Sequence, residues 1–285
     1  MQNKTTHAGR KPAWLKIKRT GGETYSEVKK IVTDNQLHTI CQSGNCPNMG
    51  ECWNAGTATF MILGEICTRS CKFCATLTGK PLPPNPAEIT KVARAIRLMK
   101  LRHCVITSVD RDDLPDGGAQ FWADTIVEVR KQNPNTTIEV LLPDFMGNWD
   151  ALDKVLQTRP DITAHNLETV RRLTPLVRSA ARYDRSLEVV SRISKAGLRS
   201  KSGIMAGLGE TTDEVLQTMD DLRKADCQVL TIGQYLQPTK SHLPVEQYIH
   251  PDIFAHYRQE GLSRGFMVVE SNPLVRSSYH AENQI

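Results

Sequence analysis

The chain has 285 residues, 39% hydrophobic and 24% charged, with a formal net charge of +5. That length suits one large domain with appendages and is too long for a disulfide-stapled mini-domain. No apolar run reaches membrane-spanning length, and aromatics at 6% with no interleaved Lys/Arg stripe exclude an obvious nucleic-acid surface.

The charge is unevenly placed. Lys4, Arg10, Lys11, Lys16, Lys18 and Arg19 fall in the first 22 residues with no acid among them. This arm reads as a solvated segment or as a patch that steers an acidic partner. It has no apolar h-region, so no signal peptide is expected; unpaired cysteines further along point to a reducing, cytoplasmic location. Residues 26–35 then read as a short helix, with Val28, Ile31 and Val32 on one face. A Gly/Asn/Pro-rich loop follows, and from residue 57 the pattern becomes regular. Apolar β-prone runs at 57–64, 104–108, 137–142, 162–165, 198–205 and 229–233 alternate with helical stretches at 87–99, 119–132, 149–157, 186–196 and 212–225. Thr211, Thr212, Asp213 and Glu214 open the last of these helices with capping residues and early acids, and Gly197 closes the one before it. Residues 81–86, rich in proline, form a stiff linker into the first of the regular helices. Six strands alternating with helices predict an α/β fold, a parallel sheet curling toward an incomplete (β/α)6 TIM-like barrel. Sites in such barrels lie at the carboxyl ends of the strands.

Six of the eight cysteines fall between positions 41 and 74. Cys41, Cys46 and Cys52 make C-x4-C-x5-C, and Cys67, Cys71 and Cys74 make C-x3-C-x2-C with Phe73 before the last cysteine. Structural zinc usually takes four ligands, often as paired C-x2-C knuckles, and here the single x2 spacing has no mate. Closely spaced cysteines are the common ligation pattern of iron–sulfur cubes. Two triplets imply two clusters, each one cysteine short. The second triplet follows the first strand of the regular series, at the catalytic end of the expected barrel. Cys104 and Cys227 stand alone in apolar runs and read as core thiols, and His165 reads as a core residue.

The second triplet resembles the signature of the radical S-adenosylmethionine (SAM) superfamily, in which a [4Fe–4S] cluster with one open iron chelates and cleaves SAM. Further pieces sharpen the likeness: residues 107–114 and 116–119, His165-Asn-Leu-Glu-Thr169, the 201–210 run from Lys201 to Glu210, residues 231–239, and Arg276-Ser-Ser-Tyr-His280. With the paired triplets, from about Lys11 onward, they resemble the lipoyl synthase family. The resemblance implies radical insertion of two sulfur atoms at C6 and C8 of a protein-bound octanoyl-lysine, with sulfur drawn from an auxiliary [4Fe–4S] cluster. It implies Cys41, Cys46, Cys52 and Ser278 as ligands of that cluster, with Ser277 adjacent as the other candidate, and Cys67, Cys71 and Cys74 as ligands of the SAM cluster. Phe73, Asn166, Glu168 and Lys201 are expected in the SAM pocket, Lys201 facing the SAM carboxylate, and Gly203 and Gly207 are expected to let the adenine approach closely. Asp110, Arg111, Asp112 and Asp113 either contact SAM or decorate a loop.

The implied partners are an octanoylated lipoyl carrier domain of the 2-oxoacid dehydrogenase E2 or glycine cleavage H protein type, an electron donor such as flavodoxin or ferredoxin, and a cluster-assembly protein. No nucleic acid and no membrane is expected. The implied organisation is an N-terminal extension at 1–56 carrying the auxiliary triplet, a radical SAM partial barrel at 57–240, and a C-terminal extension at 241–285 carrying the serine ligand. Two rivals stand beside this reading. Methylthiotransferases of the same superfamily resemble longer chains with more widely spread upstream cysteines, and a non-catalytic protein stapled by metal would cleave no SAM.

Overall fold

The computed structural model describes residues 9–16, 21–55, 57–279 and 281. Lys4, Lys18 and Arg19 of the basic arm, and His280 of the C-terminal motif, lie outside the described residues. In chain order the strands are β1 (His38–Thr39), β2 (Thr59–Ile62), β3 (Ile66–Cys67), β4 (Leu77–Thr78), β5 (His103–Ser108), β6 (Thr137–Leu141), β7 (Ile162–Ala164), β8 (Arg199–Ala206), β9 (Val229–Gln234) and β10 (Val268–Ser271). The helices are α1 (Glu23–Asp34), α2 (Ile40–Ser43), α3 (Met49–Asn54), α4 (Ala87–Leu98), α5 (Ala119–Gln132), α6 (Trp149–Leu156), α7 (Thr174–Val177), α8 (Tyr183–Lys195), α9 (Thr212–Lys224) and α10 (Pro251–Ser263).

All six expected strands form. They pair in parallel in the order β2-β5-β6-β7-β8-β9, each joined to the next through a helix. Their residues are buried nearly throughout because both faces are covered, and polar ones among them such as Glu139 and Lys201 turn into the barrel. The helices turn apolar stripes inward: Val92, Ala93 and Ile96 on α4, and Trp122, Ile126 and Val129 on α5, are buried. Two hydrophobic clusters result, one under the first strands with α4, α5 and α6, the other under β8 and β9 with α9 and α10.

The ends of the chain extend this sheet in ways the periodicity did not reveal. α10 brings β10 alongside β9 as a seventh parallel strand, with Val268 opposite Val229. At the other edge β1 pairs antiparallel with β2, His38 opposite Met61. Local chemistry fixes the helix ends as read from the sequence. The Thr211 hydroxyl accepts from the Glu214 amide at 3.2 Å, and the Glu214 carboxylate accepts from the Thr211 amide at 2.8 Å. Gly197 closes α8 at a φ of +70°, where a side chain would be strained.

Candidate active site

Elements β2 to β9 leave a cavity of about 490 Å³ at their carboxyl ends, lined among others by Cys67, Cys71, Phe73, Cys74, Asn166 and Glu168. The 67–74 loop reaches it because β3 and β4 pair, Cys67 opposite Thr78, and so close the loop at its base. Neighbours pin its tip. The Lys72 amide donates to the Val177 carbonyl at 2.9 Å, its carbonyl accepts from Leu243 at 3.1 Å, and the Ser70 amide donates to Ser179 Oγ at 3.1 Å. Cys67 Sγ accepts from the amides of Arg69 and Asp110, both at 3.4 Å. Burial, and then the nearby Asp110 carboxylate, push the Cys67 thiol up to about 12. Burial also raises the Cys74 thiol, which donates to Thr76 Oγ1 at 3.3 Å. Such thiols hold their protons until a metal displaces them.

Arg69, between the first two cysteines of the loop, was not singled out from the sequence. Its side chain is 3% exposed and meets three carboxylates. Nε and Nη2 donate to the two oxygens of Asp112 at 2.7 and 2.8 Å, Nη2 also reaches Asp144 at 2.7 Å, and Nη1 lies 3.3 Å from Asp110. Asp144 is itself fully buried and also accepts from Arg185 Nε at 2.7 Å. Burial alone would raise the Asp144 carboxyl, but the Arg69 guanidinium and its other cationic neighbours hold it well below the ordinary carboxylate range. The acid-rich segment after β5 is thereby explained. Asp110 and Asp112 tether the cysteine loop, while Arg111 turns inward to Asp113 at 2.8 Å and to the Leu63 carbonyl at 3.3 Å.

Across the cavity, Asn166 Nδ2 donates to Glu168 Oε1 at 3.1 Å. Glu168 has a φ of +68°, a left-handed backbone held by its amide on the Gly203 carbonyl at 3.0 Å and its carbonyl on the Met205 amide at 2.9 Å. Non-glycine residues kept in that region concentrate at functional sites. Asn166 Oδ1 is buried with no hydrogen-bond partner among the described residues. A Cβ on Gly203 would lie 3.0 Å from that oxygen and 2.5 Å from Thr231 Oγ1. The cradle therefore offers an unmet acceptor, a second carboxylate oxygen and open backbone, which fits a ligand rich in hydroxyl and ammonium donors such as SAM.

Lys201 departs from its expected place. It does not line the cavity; its side chain is fully buried, with Nζ 2.7 Å from Glu139 Oε1 on β6. Lys201 shares a strand face with Gly203, but two residues along a strand is about 7 Å. Its ammonium sits one layer deeper in the barrel, in an ion pair, and not against a ligand carboxylate. His165, in contrast, is the core residue expected: Nδ1 is 2.8 Å from the Leu142 carbonyl and Nε2 is 3.0 Å from Ser186 Oγ. Burial, and next the Arg178 charge, lower its pKa to about 4. The folded protein therefore binds this proton less readily than the unfolded chain. His165 is expected to contribute stability that is complete above pH ~6.5 and is lost as pH falls toward 4, by up to ~3 kcal/mol. Urea titrations of the parent and His165→Gln between pH 4 and 7 check this, since the variant should show a flatter dependence.

A second pocket, beside the first, gathers Cys41, Cys46, Cys52, Thr59, Arg276 and Ser278. Thr39 caps α2, accepting from the Gln42 amide at 3.3 Å, and Cys46 returns its amide to the Cys41 carbonyl at 3.0 Å. Asn48 Nδ2 donates to the Leu274 carbonyl at 2.7 Å and the Tyr279 hydroxyl to Glu51 at 3.0 Å, so residues far apart in sequence close the pocket together. Ser278 Oγ accepts from Thr59 Oγ1 at 2.8 Å, while its neighbour Ser277 lines the first cavity instead. Burial raises all three thiols, and the Cys46 charge adds to burial in taking Cys52 to about 12. None of the eight cysteines is in a disulfide, and no group of three or more His, Cys, Asp or Glu among the described residues is placed to hold a single metal ion. Three free thiols and a hydroxyl, each from a different turn of chain, form a donor set that suits a cluster with one iron per ligand.

Comparison with known proteins agrees with this geometry. The model of the Radical SAM superfamily matches residues 61–222. Over 276 residues, spanning 97% of this chain, the sequence is 60% identical to a lipoyl synthase of Parabacteroides distasonis and 62% identical to one of Bacteroides thetaiotaomicron, covering 98% of each. A Treponema denticola lipoyl synthase is 55% identical over 97% of this chain and 95% of its own length. Among solved structures, methylornithine synthase superposes with a TM-score of 0.57 at 13% identity, covering 90% of this chain and 79% of that one. Streptococcus suis SuiB bound to S-adenosylmethionine gives 0.60 at 10% identity, covering 87% and 62%. At such identities these two likenesses speak for the fold alone. The full-length relatives and the superfamily match decide the family: the chain belongs to the lipoyl synthases of the radical SAM superfamily.

Proposed function

We propose that this chain inserts two sulfur atoms, at C6 and C8, into an octanoyl group carried as an amide on a lysine of a lipoyl carrier domain. The observation that carries the proposal is the juxtaposition of two cysteine triplets, one opening on the cavity at the strand ends and the other, with Ser278, on the adjoining pocket. Cys67, Cys71 and Cys74 are assigned to a [4Fe–4S] cluster that works with SAM, and Cys41, Cys46, Cys52 and Ser278 to a second, auxiliary cluster. When bound, the first cluster and SAM supply hydrogen-atom abstraction from unactivated carbon, and the second cluster supplies sulfur.

The protein's own share is binding, orientation and exclusion of water. Asn166 and Glu168 receive donor groups of SAM, Gly203 leaves room for it, and Phe73 walls the cavity beside the cysteines. Lys201 is left out of this set because Glu139 already neutralises it. The Thr59 hydroxyl donates to Ser278 Oγ, which stabilises an anionic serine oxygen as a ligand. Sulfur must meet carbon at contact distance, so adjoining pockets serve the reaction by placement.

In this reading residues 1–56 form an N-terminal extension bearing the auxiliary triplet, 57–240 the partial barrel, and 241–285 a C-terminal extension bearing Ser278. The carrier is of the 2-oxoacid dehydrogenase E2 or glycine cleavage H protein type. A flavodoxin or ferredoxin supplies electrons, a cluster-assembly protein loads iron and sulfide, and the reaction runs in the cytoplasm. No helix among the described residues is long and apolar enough to cross a membrane.

Mass spectrometry of an octanoylated carrier domain, incubated anaerobically with the reconstituted enzyme, SAM and reductant, tests the proposal. A mass gain matching two sulfur atoms on the modified lysine is expected. SAM consumption with an unchanged carrier mass would overturn it.

A further inference from the structure

Arg276 belongs to neither ligand set, yet it lines both the cavity at the strand ends and the pocket of the upstream triplet. Its position is built into the fold. The chain at 275–276 passes over Gly233 of β9 so closely that a Cβ there would lie 2.0 Å from the Val275 carbonyl oxygen and 3.2 Å from Arg276 Nη1. Only a glycine admits that approach. The guanidinium donates from Nη1 to the Val275 carbonyl at 2.7 Å, and no carboxylate among the described residues pairs with it. Near it lies Lys11, a second cation that lines the first cavity. Other arginines around the first cavity are taken up: Arg69, Arg111 and Arg185 each hold an aspartate, and Arg178 donates to the Asn166 and Leu167 carbonyls and to Ser186 Oγ. A fixed cation seated between two pockets, with no acid opposite it, calls for an anion that arrives with a ligand.

The ligand chemistry of the second pocket supplies that anion. A cubane dication ligated by three thiolates and a serine alkoxide is a net anion, and its sulfides and thiolates accept hydrogen bonds. We propose that Arg276 is the charge and hydrogen-bond partner of the auxiliary cluster and sets its reduction potential. The inference rests on the assignment of a cluster to Cys41, Cys46, Cys52 and Ser278. Arginine stays charged throughout, so its effect is a constant field. Reduction adds negative charge to the cluster, the guanidinium favours the reduced form, and the potential is raised. The same side chain faces the other cavity, so the cluster is held toward the substrate by its most polarising neighbour.

The test uses the full chain carrying Cys67→Ala, Cys71→Ala and Cys74→Ala, which retains ligands for the auxiliary cluster alone. Anaerobic reconstitution, iron and sulfide analysis and an EPR-monitored potentiometric titration are made with and without Arg276→Gln and Arg276→Lys. Arg276→Gln is expected to lower the reduced-to-oxidised ratio at a fixed potential about tenfold, which is ~59 mV for a one-electron couple. Arg276→Lys, which keeps the charge, is expected to restore most of that shift. Selective loss of the cluster in Arg276→Gln but not in Arg276→Lys supports the inference equally. An unchanged potential in Arg276→Gln, or the same shift or iron loss in both variants, would overturn it and leave the cluster assignment standing. A parent triple variant that takes up no iron would overturn the cluster assignment itself, and the role of Arg276 with it.

Discussion

Cys71→Ala is expected to abolish release of 5′-deoxyadenosine from SAM, by about a thousandfold or more, equivalent to ~4 kcal/mol of lost transition-state stabilisation. Cys46→Ala is expected to leave that release largely intact and to eliminate sulfur transfer. The asymmetry follows from where the thiols stand. Cys71 shares a cavity with Asn166 and Glu168, whereas Cys46 lies in the pocket of Cys41, Cys52 and Ser278. Removing a thiolate leaves the first cluster with two protein ligands, or the auxiliary cluster with two thiolates and Ser278, and metal binding here is coupled to thiol deprotonation that burial already opposes. Each deletion should therefore empty its own pocket and spare the other. Chromatographic quantification of 5′-deoxyadenosine alongside carrier mass reads both arms. Full SAM cleavage by Cys71→Ala, or lipoyl product from Cys46→Ala, would refute the division of labour.

The barrel was legible because most of its strands carry a short apolar, β-prone run. Runs such as Cys104-Val-Ile-Thr and Val229-Leu-Thr-Ile are covered on both faces, so they stay apolar without alternation. β10 escaped because its four residues include Glu270 and Ser271, and pairing with β9 stabilises it more than its own composition does. α2 and α3 are a turn or so long and are organised by the folding of the cysteine loop against Thr39, Asn48 and Tyr279. Such helices carry almost no periodicity to read.

The site divides along the same line. Spacing exposes cysteine triplets because ligands of one cluster lie close in sequence. The roles of Arg69 and Arg276 are hidden because their surroundings are assembled from afar; Asp144 is 75 residues from Arg69. Strand alternation gave Lys201 its face but not its depth, and depth is what separates a ligand contact from a buried ion pair. Ser277 and Ser278 are chemically identical neighbours, and the path of the chain sends one to each pocket, Ser278 to its bond with Thr59.

Arg69→Met is expected to cost 3–5 kcal/mol of stability, on the order found when one partner of a buried ion pair is removed, and to strip the first cluster selectively. Methionine keeps much of the side-chain volume and deletes the charge. Asp144, fully buried, would be left with Arg185 as its remaining ion-pair partner among the described residues, and Asp110 and Asp112 would lose the cation that draws them together. The Asp110 amide that donates to Cys67 Sγ lies on that tether, so the cysteine loop loses its anchor at the same moment. Total iron and sulfide should fall by roughly half, with the loss confined to Cys67, Cys71 and Cys74. Arg69→Lys is expected to rescue little, because a single ammonium cannot reproduce a bidentate grip on Asp112 together with a bond to Asp144. Adding Asp144→Asn to Arg69→Met should recover part of the stability but not the cluster, since it relieves the stranded carboxylate without restoring the tether. Urea unfolding and iron analysis of the four proteins separate the two effects. Full iron content and an unchanged midpoint in Arg69→Met would show that the loop is held without the Arg69 cation, by backbone hydrogen bonds such as those to Val177, Ser179 and Leu243.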